Sequence, residues 1–363
     1  MSQALSLAQL ARSEIWSLRA YESARSLATE GAIFLDANES PVAPISFPSI
    51  HRYPEPQPHA LLNRFSTLYS VPSSMLFVGR GSDEAIDLLI RIFCTPGVDQ
   101  ILICPPTYGM YEVCAKIQGA KIYEVPLVQK DNDFFLDREG IQRAISKNNS
   151  IKIIFICSPN NPTGTAFSLE SIQKLCELTL GKCMIVLDEA YAEFSQFNEE
   201  NSILTRLSQF SHLIILRTFS KAWALAGARC GVAIAEAPVI QLLQKVRAPY
   251  PLSAPSVKVI LEATDLQRQD LLKQRVKAVR CQREALKSSL LELNAVQWVY
   301  ASETNFLLVK FHHPTSVFHH LKSKGMILRD RSHELGLSGC IRITLGTEEE
   351  NRLLITYLRE IDS

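Results

Sequence analysis

The sequence predicts an α/β protein with a largely parallel sheet covered by helices on both faces, followed by a smaller α+β unit. Between about residues 75 and 250, short apolar runs rich in β-branched residues alternate with segments of helical periodicity. This alternation is typical of parallel strands joined by helices. From about residue 252 it gives way to one long charged stretch with apolar residues at helical spacing, which indicates a second structural unit.

The strands of the larger unit are predicted from six apolar runs, each far shorter than the roughly 18 residues of a membrane span. The runs are QILICPP (100–106), AKIYEVPL (120–127), IKIIFICSP (151–159), KCMIVLDEA (182–190), SHLIILRTFS (211–220) and RCGVAIAE (229–236). Between two of them, SLESIQKLCELTL at 168–180 has the spacing of a helix. Before the first run, a Pro-rich segment at 51–60 is predicted to be an extended loop.

The smaller unit is predicted to begin with a helical stretch over roughly 255–292, which has no Gly or Pro after Pro255. After it, QWVYASETNFLLVKF and CIRITLG are predicted strands around a helix at about 315–325. We therefore expect an N-terminal arm over 1–33 that packs with the small domain or a partner subunit, a large domain over 34–255 and a small domain over 256–363.

The composition argues against two classes of partner. Lys and Arg total 38 and Asp and Glu total 37, a net charge of +1, so no overall field attracts nucleic acid or an anionic membrane. The nine cysteines include no C-x-x-C pair, which favours reduced, mostly buried thiols in a cytoplasmic protein. The N-terminus lacks the continuous apolar stretch of a signal peptide.

Four groups of polar residues fall at the ends of predicted strands, where open α/β sheets bind ligands. The first is RTFSKAWALAGARCG at 217–231, with Lys221 just after a strand and Arg229 eight residues later. A partly buried lysine is suited to Schiff-base chemistry, while Ser220 and Arg229 are suited to a phosphate. Taken alone, this motif is explained better by a surface lysine at the start of a helix.

The second group is VLDEAYAEF at 186–194, where Asp188 ends an apolar strand and Tyr191 follows. A carboxylate at the end of a buried strand needs a cationic partner, and a protonated pyridine nitrogen would serve. An aspartate that caps the next helix is an equal alternative for this motif in isolation.

The third and fourth groups are turns. CSPNNPTG at 157–164 forms a rigid turn from which side-chain amides project. In FVGRGSDEAIDLLI at 77–90, a glycine pair precedes a helix that starts at Ser82 or Asp83, and its backbone N–H groups can hold a phosphate. This turn matches neither the P-loop nor the dinucleotide-binding fingerprint.

In combination, these motifs resemble those of the fold-type I, class I/II aminotransferases. GRGSDEAI, CPPTYGMY, CSPNNPTG, LDEAYAEF, RTFSKAWALAGARCG and IRITLG occur in the family's order and approximate spacing. More narrowly, RYPEPQP, APYPLS, ILRDRS and SGCIRITLGT resemble the histidinol-phosphate aminotransferases. The resemblance implies a large domain with a seven-stranded, mostly parallel sheet, pyridoxal 5′-phosphate as cofactor, and a homodimer with shared active sites.

The resemblance also implies roles for residues at the cofactor. Lys221 would bind the cofactor covalently and move the substrate proton, and Asp188 would pair with the pyridinium nitrogen. Tyr191 and Asn161 would hydrogen-bond the phenolic oxygen, and Tyr108 would stack on the ring. The cofactor phosphate would be bound by Ser220, Arg229, the backbone at Ser82 and Asp83, and Tyr53 of the neighbouring subunit.

At the substrate end, the resemblance assigns the anionic group to Arg329 and Arg342, with Tyr21 and Asn161 beside them. The implied reaction transfers the amino group between L-histidinol phosphate and 2-oxoglutarate, giving imidazole acetol phosphate and L-glutamate. A doubly charged phosphate explains why two arginines are expected. No metal and no nucleic-acid or membrane partner is implied.

Other functions on the same fold stay open at this point. A broad aromatic aminotransferase or a decarboxylase of phosphorylated threonine would keep the same lysine, and a cofactor-binding regulator would need an added DNA-binding module that residues 1–35 are too short to form.

DANESP at 36–41 and Trp223 depart from the family pattern without removing a catalytic group. The histidine pairs in FHHPTSVFHH at 311–320 lack a carboxylate or cysteine at ligand spacing, so we expect a solvated surface there.

Overall fold

The computed structural model describes residues 10–18, 45–47, 50–195 and 202–361. Most of the predicted N-terminal arm, including Tyr21, lies outside the described residues, as does the motif at 36–41. The described part of the arm contains a short helix, α1 (Ser13–Ser17). It is attached to the large domain, where Lys245 donates a hydrogen bond to the carbonyl of Trp16 at 3.0 Å.

The large domain is built on a seven-stranded sheet, as predicted. The strands of the domain are β1 (Leu76–Gly79), β2 (Gln100–Ile103), β3 (Lys121–Glu124), β4 (Val128–Lys130), β5 (Asp133–Phe135), β6 (Ile151–Cys157), β7 (Met184–Asp188), β8 (Leu213–Thr218) and β9 (Gly231–Ile234). The sheet order is β1-β9-β8-β7-β6-β2-β3, and β4 and β5 form a separate hairpin. Only β9 runs antiparallel to its neighbours in this sheet. All six apolar runs are therefore confirmed as strands.

Helices cover both faces of the sheet, which confirms the predicted layers. They are α2 (His59–Tyr69), α3 (Ser82–Phe93), α4 (Met110–Gln118), α5 (Arg138–Lys147), α6 (Leu169–Thr179), α7 (Ala237–Val246) and α8 (Ala254–Ala263). Alternate strand residues point to opposite faces, so the domain has two core layers. Helices α3, α4 and α7 pack on one face. Helices α2, α5, α6 and α8 pack on the other.

The smaller unit is an antiparallel sheet covered by helices. Its elements are α9 (Gln269–Leu291), β10 (Val296–Val299), β11 (Phe306–Phe311), α10 (Pro314–Ser323), β12 (Arg329–Asp330), β13 (Cys340–Thr344) and α11 (Glu348–Arg359), and the strand order is β10-β11-β13-β12. The last helix begins with a capping box between Thr347 and Glu350.

The predicted helical stretch over 255–292 is two helices, not one. Between α8 and α9 lies a short 3₁₀ turn (Leu266–Arg268), and the side chain of Asp265 accepts the N–H of Gln267. Such a local side-chain bond competes with the helical hydrogen bonds and ends α8, and it leaves no mark in the apolar spacing. Ile260 of α8 belongs to the core of the large sheet.

The cysteines and histidines outside the candidate site have ordinary surroundings. All nine cysteines are free thiols and eight are buried; burial raises the pKa of the Cys104 thiol to about 12. His312 and His313 are exposed, while the ring of His320 lies 3.1 Å from the carbonyl of Tyr357. Across the described ranges, no three His, Cys, Asp or Glu side chains are arranged to hold a metal ion. No helix in those ranges is long and apolar enough to cross a membrane.

Candidate active site

A cavity of about 430 Å³ lies at the carboxyl ends of β6, β7 and β8. These strands are parallel and in register, with Cys157 opposite Asp188 and Asp188 opposite Leu216, so the polar segments that follow them meet at one edge of the sheet. The cavity brings together most of the residues singled out in the sequence, namely Ser82, Asp83, Tyr108, Asn161, Asp188, Tyr191, Ser220, Lys221, Arg229, Arg329 and Arg342.

Asp188 is a buried carboxylate at the floor of the cavity, with 2% of its surface exposed. It accepts a hydrogen bond from the hydroxyl of Tyr111 at 2.8 Å and one from the N–H of Ala190 at 3.2 Å. Burial raises the pKa of Asp188 to about 6, although both hydrogen bonds favour the charged form and oppose this rise. A cationic ring nitrogen beside Asp188 would supply the charge that its surroundings do not.

Tyr111 is a residue that the sequence reasoning missed. Its side chain is fully buried and stacks on Phe155 with ring centroids 4.7 Å apart. This packing fixes the hydroxyl that donates to Asp188. The motif CPPTYGMY contains this tyrosine three residues after Tyr108. Its side chain lies on the face of α4 that packs against the core of the sheet.

Lys221 lines the cavity just beyond the end of β8, and its Nζ atom lies 5.6 Å from the ring centre of Tyr191. Burial and the nearby cation of Arg342 lower the pKa of Lys221, while Asp83 and Asp188 oppose the shift. A lysine with a lowered pKa reaches the neutral, nucleophilic form more easily. Tyr191 is itself buried and meets Phe306 edge to face, so its hydroxyl has a fixed direction.

The N-terminus of α3 and the loop after β8 form a cradle at one side of the cavity. Gly81 has a φ of +87°, and a Cβ atom there would lie 2.9 Å from Nη2 of Arg229. A Cβ atom at Gly231 would lie 2.3 Å from the backbone nitrogen of Ser82. Only glycines allow the turn, the strand and the guanidinium to come this close. Ser82 at the start of α3, Ser220 and Arg229 therefore line the cavity together, and the first turn of the helix adds backbone N–H groups suited to a phosphate.

Asp83 organises this cradle with its side chain. Its carboxylate accepts a hydrogen bond from the hydroxyl of Tyr108 at 3.0 Å and lies 3.7 Å from the guanidinium of Arg229. The acid therefore orients one cation and one aromatic ring. The ring of Tyr108 lies edge to face with that of Tyr111, with centroids 5.5 Å apart.

The opposite side of the cavity is formed by the small sheet. Arg329 on β12 is directly opposite Arg342 on β13, so both side chains lie on the same face of the sheet. Arg342 donates to the side-chain oxygen of Asn161 at 2.5 Å and lies over the ring of Phe306 at 5.2 Å. Like charges that face each other across a ladder are destabilising, which indicates a site for an anionic ligand.

Further cavity residues were not singled out in the sequence. Thr218, Cys157 and Ala226 line the floor, and Arg331 joins Arg329 and Arg342 at the far side. Thr218 accepts the N–H of Ser220 at 3.2 Å and so shapes the loop that carries the lysine. Their positions depend on tertiary packing, which the local motifs do not encode.

Two residues named in the sequence lie elsewhere. Tyr53 does not line this cavity; its side chain is 49% exposed and stacks on Tyr250 at 4.4 Å. Trp223, which departs from the family pattern, is buried in the core layer beneath α2, α5, α6 and α8 and packs against Phe219. The larger aromatic ring is therefore accommodated away from the cavity.

The donor set fits the cofactor that the sequence motifs imply. The cradle offers hydrogen-bond donors and a cation to a phosphate, the floor offers a buried carboxylate to a ring nitrogen, and a lysine of lowered pKa lies between them. Gly81 and Gly231 have no side chains, so the space in the cradle that a Cβ atom would occupy stays open.

Comparison with known proteins identifies the family. The family model of class I and II aminotransferases matches residues 35–358. Histidinol-phosphate aminotransferases of Escherichia coli and Shigella boydii are 42% identical over 358 residues, which is 98% of this chain and of theirs. The histidinol-phosphate aminotransferase of Sinorhizobium meliloti, solved in complex with pyridoxal-5′-phosphate, has the same fold at 24% identity, with a TM-score of 0.77 over 90% of this chain and 89% of that one. The chain belongs to the class I and II aminotransferases, in the group of the histidinol-phosphate aminotransferases.

Proposed function

We propose that this protein transfers the amino group of L-histidinol phosphate to 2-oxoglutarate, giving imidazole acetol phosphate and L-glutamate, with pyridoxal 5′-phosphate as cofactor. The observation that carries the proposal is the two-ended cavity. Lys221 and Asp188 lie at the floor, and Arg329 and Arg342 lie on the opposite side. A substrate with an amine at one end and an anionic group at the other fits this arrangement.

The residues at the floor hold the cofactor and move protons. When bound, pyridoxal 5′-phosphate supplies the electron sink that makes the proton on the amine-bearing carbon removable. Asp188 would keep the ring nitrogen protonated, because a cation beside this buried carboxylate would stabilise both charges. The amine of Lys221 would serve as the base and acid that moves the proton of the amine-bearing substrate carbon.

Asn161 and Tyr191 connect the cofactor to the substrate end. The side-chain oxygen of Asn161 accepts a hydrogen bond from Arg342, so its NH₂ group would be able to donate to the phenolic oxygen of the cofactor. The hydroxyl of Tyr191 would donate to the same oxygen. A single amide therefore couples the orientation of the substrate arginine to that of the cofactor.

The arginine side of the cavity binds the anion that both co-substrates carry. The phosphate of histidinol phosphate and the distal carboxylate of glutamate would each lie on Arg329 and Arg342, and Tyr21 is a further residue expected at the phosphate. Arginine is suited to both ligands, because its planar fork forms paired hydrogen bonds with either group.

The proposal includes a homodimer. Tyr53 is exposed and outside the cavity of its own chain, which suits a side chain that binds the cofactor phosphate of the partner. A C2 interface would place each Tyr53 at the other protomer's site.

Product analysis tests the proposed reaction. The purified enzyme with cofactor, L-histidinol phosphate and 2-oxoglutarate should form glutamate in equal amount to the histidinol phosphate consumed, and Lys221→Ala should form none. Release of CO₂ from O-phosphothreonine, without glutamate from histidinol phosphate, would instead favour a decarboxylase.

A further inference from the structure

Arg331 extends the cationic side of the cavity beyond the two arginines already described. Its backbone N–H donates to the carbonyl of Cys340 at 2.9 Å, which continues the β12–β13 pairing by one more residue. Because strand residues two apart point to the same face, Arg331 lies on the same face as Arg329, and both line the cavity. Asp330 between them belongs to the opposite face, where its carboxylate accepts the N–H of Ser332.

Arg331 has a carboxylate partner, whereas no carboxylate of the described residues pairs with its neighbour Arg342. Its Nη1 atom lies 2.5 Å from Oε1 of Glu334, and both side chains are largely buried, with 16% and 18% of their surfaces exposed. Glu334 is held in place because its own N–H donates to the carbonyl of Arg331 at 2.9 Å. The ion pair therefore closes a short turn at the rim of the cavity.

The pair leaves hydrogen-bonding capacity unused. Nε of Arg331 and Nε of Arg342 are both buried, and neither has a hydrogen-bond partner within the described ranges. A buried donor without a partner is unfavourable until an acceptor arrives. The charge of Arg331 also acts on Arg342. Burial lowers the pKa of Arg342, and the positive charges of Arg331 and Arg329 lower it further, Arg331 by more than Arg329.

The charges at this side of the cavity match a dianion. Three guanidinium groups and the carboxylate of Glu334 leave a net charge of +2. The other charged groups of the cavity, Lys221, Asp188, Asp83 and Arg229, lie at the floor and the cradle. A phosphate monoester would neutralise the +2, whereas a single carboxylate would leave one positive charge without a counter-ion.

We propose that Arg331, poised by Glu334, is a specificity-determining residue that favours a phosphate monoester over a carboxylate in this cavity. The inference rests on the proposed function for the identity of the two co-substrates. Arg331 offers its free N–H groups to the third phosphate oxygen, and Glu334 keeps the guanidinium oriented and limits the attraction for singly charged ligands.

The test compares the two co-substrates in matched variants of the enzyme loaded with cofactor. Arg331→Gln should lower kcat/KM for histidinol phosphate by roughly 10- to 100-fold, as expected for one charge-assisted hydrogen bond, and for glutamate by less than about 3-fold. Glu334→Gln should shift the ratio of the two values in the same direction, because it releases the guanidinium of Arg331 and raises the attraction for the singly charged carboxylate. Arg352→Gln removes an exposed charge of the same domain outside the cavity and should change neither value.

Inorganic phosphate separates this inference from the proposed function. At about pH 8, where it is mainly a dianion, phosphate should inhibit the glutamate reaction of the wild type and should do so at least about 10-fold less strongly in Arg331→Gln. This result would support the cation site even if histidinol phosphate were not a substrate. Equal losses for both co-substrates, or unchanged phosphate inhibition in Arg331→Gln, would overturn the inference.

Discussion

At the scale of single residues, Asp188 combines two opposing requirements. The cavity floor buries its carboxylate, and burial alone favours the neutral acid. Tyr111 and Ala190 donate hydrogen bonds that favour the charged form without fully offsetting burial. The residue is thus placed for a cationic ligand, and the protein without cofactor bears the energetic cost of this arrangement.

The pH dependence of Asp188 follows from the direction of its shift. The pKa is 3.8 in the unfolded chain and about 6 in the folded protein, so folding favours the protonated form. In the cofactor-free protein, this residue's contribution to the free energy of unfolding should fall as the pH rises from about 4 to about 6. At neutral pH, Asp188→Asn should therefore be more stable than the wild type by roughly 2–3 kcal/mol, and it should bind the cofactor more weakly.

Urea denaturation of the cofactor-free wild type and of Asp188→Asn, at pH values on both sides of this interval, measures the difference. Asparagine still accepts the hydrogen bond of Tyr111, so the comparison isolates the charge. A constant difference in stability across the whole range would contradict a raised pKa for Asp188.

At the scale of elements, the cradle depends on close contact between β9 and the start of α3. Gly231 on β9 lies against the backbone of Ser82, and Gly81 lies against Arg229. The strand, the helix and the loop after β8 can therefore present their donors together only while these two positions lack a side chain.

A methyl group at Gly231 should separate the helix from the strand. Its Cβ atom would lie 2.3 Å from the nitrogen of Ser82, so Gly231→Ala should weaken cofactor binding at least about 10-fold and destabilise the fold by about 1–3 kcal/mol. Gly227→Ala is the matched control, because Gly227 lies in the same loop region and has no atom within 4 Å of the added carbon. Cofactor titration followed by absorbance measures both variants, and equal affinities would show that the contact is not required.

The elements were predictable from the sequence because their signals are local. The apolar runs give β6, β7 and β8, and the glycine pair before Ser82 gives the start of α3. The break between α8 and α9 was not predicted, because one side-chain bond at Asp265 interrupts a spacing that continues through it.

At the scale of the whole molecule, the candidate site joins segments that are far apart in the chain. Arg342 of the small sheet reaches Asn161 of the large domain, 181 positions away. The resemblance of the sequence motifs to those of a known family predicted that Asn161 and Arg342 belong to one site. Tyr111 and Arg331 lie inside the motifs CPPTYGMY and ILRDRS, but their roles were not predicted, because these depend on packing, Tyr111 through Phe155 and Arg331 through the β12–β13 turn.

Sharing of sites between protomers can be tested by complementation. Lys221→Ala and Tyr53→Ala homodimers should each be inactive or nearly so. In a heterodimer of the two, one site would lack both residues and the other would be intact, so about half of the wild-type activity per dimer should return. Two affinity tags isolate the heterodimer for the assay. If it is as inactive as the parents, Tyr53 does not act in the partner's site.

The central claim, that this cavity takes the amino group from histidinol phosphate, is tested most directly by a single half-reaction. The enzyme loaded with cofactor is mixed with one amino donor at a time, and the visible absorption of the bound cofactor is followed. We expect L-histidinol phosphate to bleach this absorption with an efficiency at least about 100-fold above that of phenylalanine, and Lys221→Ala to show no such absorption. Ready reaction with phenylalanine and none with histidinol phosphate would contradict the account.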